Sequence, residues 1–111
     1  MSRYYFEREV RTPYSETFLI IDGEKQIGRI DIHYTPSMVH GTLVVIESVT
    51  QDEIEDIIEV VDEELVMPAE TAREDFVVTV YQGREAGVYS DEDFEEEEEE
   101  KEEHERRSGD L

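Results

Sequence analysis

Residues 50–65 read TQDEIEDIIEVVDEEL, with eight carboxylates and neither lysine nor arginine. The spacing of the apolar residues decides what this stretch becomes. Ile54, Ile57, Ile58, Val61 and Leu65 fall at i, i+3, i+4, i+7 and i+11, one continuous stripe along a helix. Thr50 and Glu53 stand at the spacing of a capping box, and Val49 with Ile54 can close a hydrophobic staple around it. Pro68, which lacks the N–H a further turn needs, is expected to stop the helix. With the isoleucines turned inward, the acids are left on the outside. Asp52, Glu55, Asp56, Glu59, Asp62 and Glu63 are the candidate partner-binding residues.

Everything around this helix alternates with a period of two. In YYFEREV, Tyr4, Phe6 and Val10 fall on one side and Glu7 and Glu9 on the other, the pattern of a half-buried strand. TPYS supplies a turn. TFLIIDGEKQIGRIDIHY then reads as a β-hairpin turning at Asp22-Gly23. Ile30, Ile32 and Tyr34 share one face while Arg29, Asp31 and His33 share the other. Ile27 is out of step, and a bulge at Gly28 would restore it. After TPSM comes VHGTLVVIES, whose apolar run from Leu43 to Ile46 suggests a central strand covered on both faces. Beyond the helix, DFVVTVYQ is a further strand, and GREAG leads to a short VYS edge. The fold class expected is α+β. It has an antiparallel-dominated sheet of five to six strands in the order β-β-β-β-α-β-(β), one amphipathic helix on one face, and an acidic C-terminal tail.

Hairpin, strand, helix and strand in this order are similar to the central part of the GNAT acyltransferases. That resemblance implies a phosphate-binding loop joining strand to helix, with coenzyme A held there. The corresponding junction here is IESVTQDE, residues 46–53, with no glycine, no arginine and acids where pyrophosphate would sit. Coenzyme A would be repelled, so the likeness is one of shape, and no cofactor is expected.

The chain of 111 residues allows one domain, expected over residues 1–90. Residues 91–111, DEDFEEEEEEKEEHERRSGDL, hold 13 acids and 3 bases and read as a disordered or frayed acidic tail. That segment accounts for −10 of the net −22, leaving −12 in residues 1–90. A field of this sign opposes direct nucleic-acid binding and anionic membranes, and attracts cations and basic proteins. Zero cysteines exclude disulfides and thiolate chemistry. The N-terminus shows no apolar run of a signal peptide, and no stretch approaches the ~20 apolar residues of a spanning helix. A cytoplasmic location is expected.

Chemistry-bearing motifs are scarce. If TPSM forms a hairpin loop, His33 and His40 face each other with Asp31 two residues along the same face. Two imidazoles and a carboxylate can ligate zinc or iron, but Arg29 shares the face, and paired surface histidines near a turn are more often inert. No glycine-rich phosphate loop, G-x-S-x-G elbow or H-E-x-x-H is present. Three readings therefore stand. The first is a small non-enzymatic module whose acidic helix engages a basic protein surface, such as a nucleic-acid-binding protein held off its target. The second is an assembly domain forming a homodimer through its uncovered sheet face, around Val44 and Ile46, with the acidity serving only solubility. The third is a small enzyme or metal protein.

Overall fold

The computed structural model describes residues 3–69 and 75–92. Five strands form a single sheet in sequence order: β1 Tyr4–Thr12, β2 Ser15–Asp22, β3 Lys25–Tyr34, β4 Met38–Val45 and β5 Asp75–Gln82. The first four run antiparallel as a meander, and β5 lies parallel to β4. Between those two runs the helix α1, Gln51–Val61. A parallel neighbour requires a crossover, and the helix provides it while covering one sheet face. The α+β class is the one the periodicities predict. The extra edge strand at residues 88–90 does not form, and residues 84–90 carry no regular structure. Two apolar residues, Val88 and Tyr89, offer too little ladder to offset the ordering of that segment. The acidic tail lies outside the described residues apart from Asp91 and Glu92.

The core lies between the sheet's inner face and α1. Phe18, Ile20, Ile30, Ile32, Val39, Leu43 and Val45 meet Ile54, Ile57, Val61 and Val66, all buried. Paired residues share a face, so the register fixes the outer surface as well. There Leu19, Arg29, Val44 and Tyr81 form one cross-strand row, and Thr17, Asp31, Thr42 and Thr79 the next. The outer face is mixed and substantially polar, and Val44 on it is half-buried rather than covered.

Three local features differ from the sequence reading, and a fourth agrees with it. A bulge between Arg8 and Val10 inserts Glu9, so Val10 pairs with Thr17 and stands half exposed on the outer face instead of joining Tyr4 and Phe6. The β2–β3 loop is Gly23-Glu24, one residue later than expected, with Asp22 paired to Lys25. Gly23 takes the first central position at φ +66°, the positive value that both primed hairpin turns require there. The bulge foreseen near Gly28 is present, with Ile27 extra between the Ile20–Gly28 and Ile21–Gln26 pairs, and it brings Ile27 into the core. Finally, α1 widens into a π turn over Asp62–Val66 before a 3₁₀ turn at Met67–Ala69. The Met67 N–H donates to Asp62, an i→i+5 bond. That extra residue brings Val66 into the core and leaves Leu65, the expected end of the apolar stripe, half-buried.

Candidate functional site

The start of α1 is fixed from both sides. The Glu53 N–H donates to Thr50 Oγ1 at 3.2 Å, and the Thr50 N–H donates to Glu53 Oε1 at 3.1 Å, completing the capping box. Gln82 at the end of β5 donates its side-chain amide to the carbonyls of Ile46, Glu47 and Val49, tying the β4–α1 loop to the sheet. Arg3 reaches over the cap, 2.7 Å from Asp22 and 3.1 Å from Glu53. The Thr50 backbone N–H, with Arg3 beside it, holds the Glu53 carboxyl below its ordinary range. The junction that a phosphate-binding loop would occupy is therefore closed by its own carboxylate.

Past this cap the acids stand outward. Asp52, Glu55, Asp56, Glu59 and Glu63 are exposed, and no ion pair within the described residues reaches them. Asp62 is placed differently: it is half-buried, with one carboxylate oxygen shielded from solvent at the π turn. Five of the six candidate residues thus share one exposed rim, and Asp62 flanks it. The six exposed acids between residues 52 and 64, Asp52, Glu55, Asp56, Glu59, Glu63 and Glu64, at ~1.5 Å rise, give one charge per roughly 3 Å of axis, against about one per 3.4 Å along a single DNA strand.

Four of the described arginines, Arg3, Arg8, Arg11 and Arg29, are engaged with other acids. Arg8 approaches Glu16 at 3.0 Å and Arg11 at 3.8 Å, and the Tyr34 hydroxyl donates to the same carboxylate at 3.1 Å. Arg8 also lies over the Phe18 ring, 5.4 Å from its centre. These residues line an open cleft of about 600 Å³ between the β1–β2 and β3–β4 turns and the end of the helical segment. Burial and the neighbouring Glu16 carboxylate push the Tyr34 hydroxyl up to about 12. The sequence reading missed this cluster, because its members come from three strands and no motif links them.

His33 and His40 do face each other across β3 and β4, and both are exposed. Asp31 is turned to other work. It accepts the Thr17 hydroxyl at 2.8 Å and sits 3.7 Å from Arg29, which also reaches Glu9 at 3.3 Å. Among the described residues no three His, Asp or Glu side chains are grouped closely enough to hold a metal ion. Nor is any described helix long and apolar enough to cross a membrane. No protein-family model, no curated protein and no solved structure matches this chain.

Proposed function

We propose that the protein is a small non-enzymatic interaction module whose acidic helix rim engages a basic protein surface. The observation that carries this reading is the row Asp52, Glu55, Asp56, Glu59 and Glu63, exposed and outside every ion pair of the described residues, while Arg3, Arg8, Arg11 and Arg29 are matched to acids elsewhere. Intramolecular neutralisation of the rim is the arrangement that would have argued against it, and among the described residues no ion pair reaches these five acids. A helical rod with charge spacing near that of one DNA strand suits a partner shaped to hold a phosphate backbone. A nucleic-acid-binding protein is then the natural class, with the helix competing for its basic groove. Such binding gains its rate and selectivity from complementary fields and weakens as salt rises.

The test is a pull-down from a cell extract at low and at high salt, comparing the intact chain with Glu55→Lys, Glu59→Lys and Glu63→Lys combined. A basic protein retained at low salt, and lost by that variant, is the expected result. Retention of the same proteins by the charge-reversed variant would remove the reading. The alternative, a homodimer through the outer sheet face, has less to support it. Thr17, Asp31, Thr42 and Arg29 make that face polar around Val44.

A further inference from the structure

Charged side chains on the core face of a sheet are costly to desolvate, and at one end of this sheet they gather there. The inner face is apolar through Phe18, Ile20, Ile30 and Ile32. Arg8, Arg11, Glu16 and Tyr34 lie on the same side, beside the β1–β2 and β3–β4 turns. The bulge in β1 is what brings the two arginines together. Three residues apart in a regular strand, they would point to opposite faces. With Glu9 inserted, Arg8 pairs with Phe18 and Arg11 with Glu16, positions two apart on β2 that share a face. Bulges re-aim side chains in this way beside functional sites.

The cleft these residues line is held in shape by the backbone. The Tyr34 N–H donates to the Tyr14 carbonyl at 2.7 Å and joins the two turns, and the Thr35 N–H and hydroxyl both donate to the Met38 carbonyl. All three prolines of the chain, Pro13, Pro36 and Pro68, stand around it, so little backbone freedom is lost when it is filled. Its volume of about 600 Å³ is that of a small-molecule site. The charge inside it is uneven. Arg3 faces two acids, Asp22 and Glu53, and Arg29 faces Glu9 and Asp31. Arg8 and Arg11 share one. Glu16 Oε1 lies 3.0 Å from Arg8 and 3.8 Å from Arg11, while Oε2 accepts the Tyr34 hydroxyl. At 3.8 Å Arg11 feels the charge without making a hydrogen bond, so its fork of N–H donors is left for another acceptor. Two positive charges against one leave this wall with an excess of one, and Glu64 stands exposed across the cleft.

We infer that this cleft binds a small organic acid with one carboxylate and an apolar body. The carboxylate takes the donors of Arg11, with Arg8 beside it, in the charge-assisted fork pairing that guanidinium groups make. The body rests on Leu65, Tyr14 and the proline rings. Glu16 is a positioning residue: it holds the two guanidinium groups on one wall, and the Tyr34 hydroxyl holds Glu16. A single charge is selected from both directions. A neutral ligand leaves the excess positive charge unmet, and a second negative charge would confront Glu16 and Glu64. The chain's net charge of −22 repels polyanions most, so an acidic peptide or a polyphosphate is a poor occupant. A small monoanion meets the arginines at contact, while acids beyond the Debye length of ~10 Å are screened. The inference stands on the cleft alone and does not require the rim of α1 to bind anything.

The experiment is a two-dimensional NMR titration of the intact, isotope-labelled chain with sodium benzoate and with sodium hexanoate at about 0.15 M sodium chloride. Benzyl alcohol and inorganic phosphate are the neutral and the purely anionic controls. At least one of the two acids should give saturable shifts at the amides of Arg11, Thr12, Tyr14 and Thr35, with both controls about tenfold weaker or more. Arg11→Gln should weaken binding about tenfold, as expected for one hydrogen bond to a charged group. Arg11→Lys keeps the charge without the fork and should weaken it less. Arg11 is 68% exposed, so both variants should leave the amide shifts outside the cleft unchanged. If one of them fails to fold, the other decides. Absence of saturable shifts with either acid up to about 10 mM would overturn the inference. Benzyl alcohol binding as tightly would show an apolar hollow only, and phosphate binding as tightly an unselective anion site. Either result would overturn it, as would binding that the Arg11 variants leave unchanged.

Discussion

Gly28 on β3 pairs with Val45 on β4, next to the Ile27 bulge. A Cβ there would press on the Val44 carbonyl oxygen, a backbone atom that cannot step aside. Gly28→Ala should therefore destabilise the protein by about 1–3 kcal/mol, the range for forced overpacking, read from the urea midpoint. A neutral result would mean that the bulge is free to relax. Tyr34 offers a second test at this scale. Burial, and then the Glu16 carboxylate, raise its hydroxyl to about 12, so the folded state keeps a proton that the unfolded chain gives up near the ordinary tyrosine value of ~10. The stability it contributes is complete below that value and is lost as pH rises towards 12. Ultraviolet titration of the tyrosines should show a component near pH 12 that Tyr34→Phe deletes and Glu16→Gln moves downward. Absorbance curves that superimpose for all three proteins would contradict the assignment. The two residues differ in how much their sequence neighbours disclose. Gly28 was legible as a bulge because Ile27 broke the alternation, but the Tyr34–Glu16 contact joins residues 18 apart.

Helix α1 is the element whose character the sequence carried most fully, since its cap, stripe and acid row are all local. Its acids also oppose one another. Asp52–Asp56, Glu55–Glu59 and Glu59–Glu63 stand at i, i+4, with no cation on the helix to relieve them. Glu59→Lys replaces two repulsive pairs with attractive ones, the first in the favourable acid-before-base orientation, and should stabilise the protein by about 0.5–1 kcal/mol. Chemical denaturation checks it. A loss of stability would show that the row is not under repulsive strain. The end of the element was misread because an α period was carried through to Leu65, while the chain inserts a π turn and buries Val66. Pro68 contributes: it has no N–H for the Glu64 carbonyl and its ring crowds that group, so the last turn cannot stay α-helical. A single inserted residue likewise misled the reading of β1, where Glu9 moves Val10 to the opposite face.

For the whole molecule, electrostatics sets two terms against each other. Arg3, Arg8, Arg11 and Arg29 make ion pairs with side chains 41–68% exposed, and surface pairs of this kind are worth about 0–1 kcal/mol each. Against them stands the self-repulsion of a net charge of −22, which salt screens at every separation beyond the Debye length. Repulsion should dominate. The melting temperature is expected to climb by several degrees from about 0.05 M to about 1 M sodium chloride and then level off. Scanning calorimetry at constant protein concentration would show it, and a melting temperature that falls with added chloride would mean that the ion pairs prevail.

The sequence by itself determined the α+β class, the order of strands and helix, the capped start of α1 and the anionic character of its outward side. Each is written in periods of two or three to four residues, or in a pair of residues three apart, and such patterns act before distant parts of the chain meet. Tertiary structure alone decided which carboxylates are matched within the molecule: Glu53 by Arg3, Glu16 by Arg8, Arg11 and Tyr34, and Glu9 and Asp31 by Arg29. It also decided that Val66 closes the core and that β5 lies parallel to β4 at an edge of the sheet. These outcomes depend on register and strand neighbours, which place side chains far apart in sequence within a few ångströms. No local period carries that information.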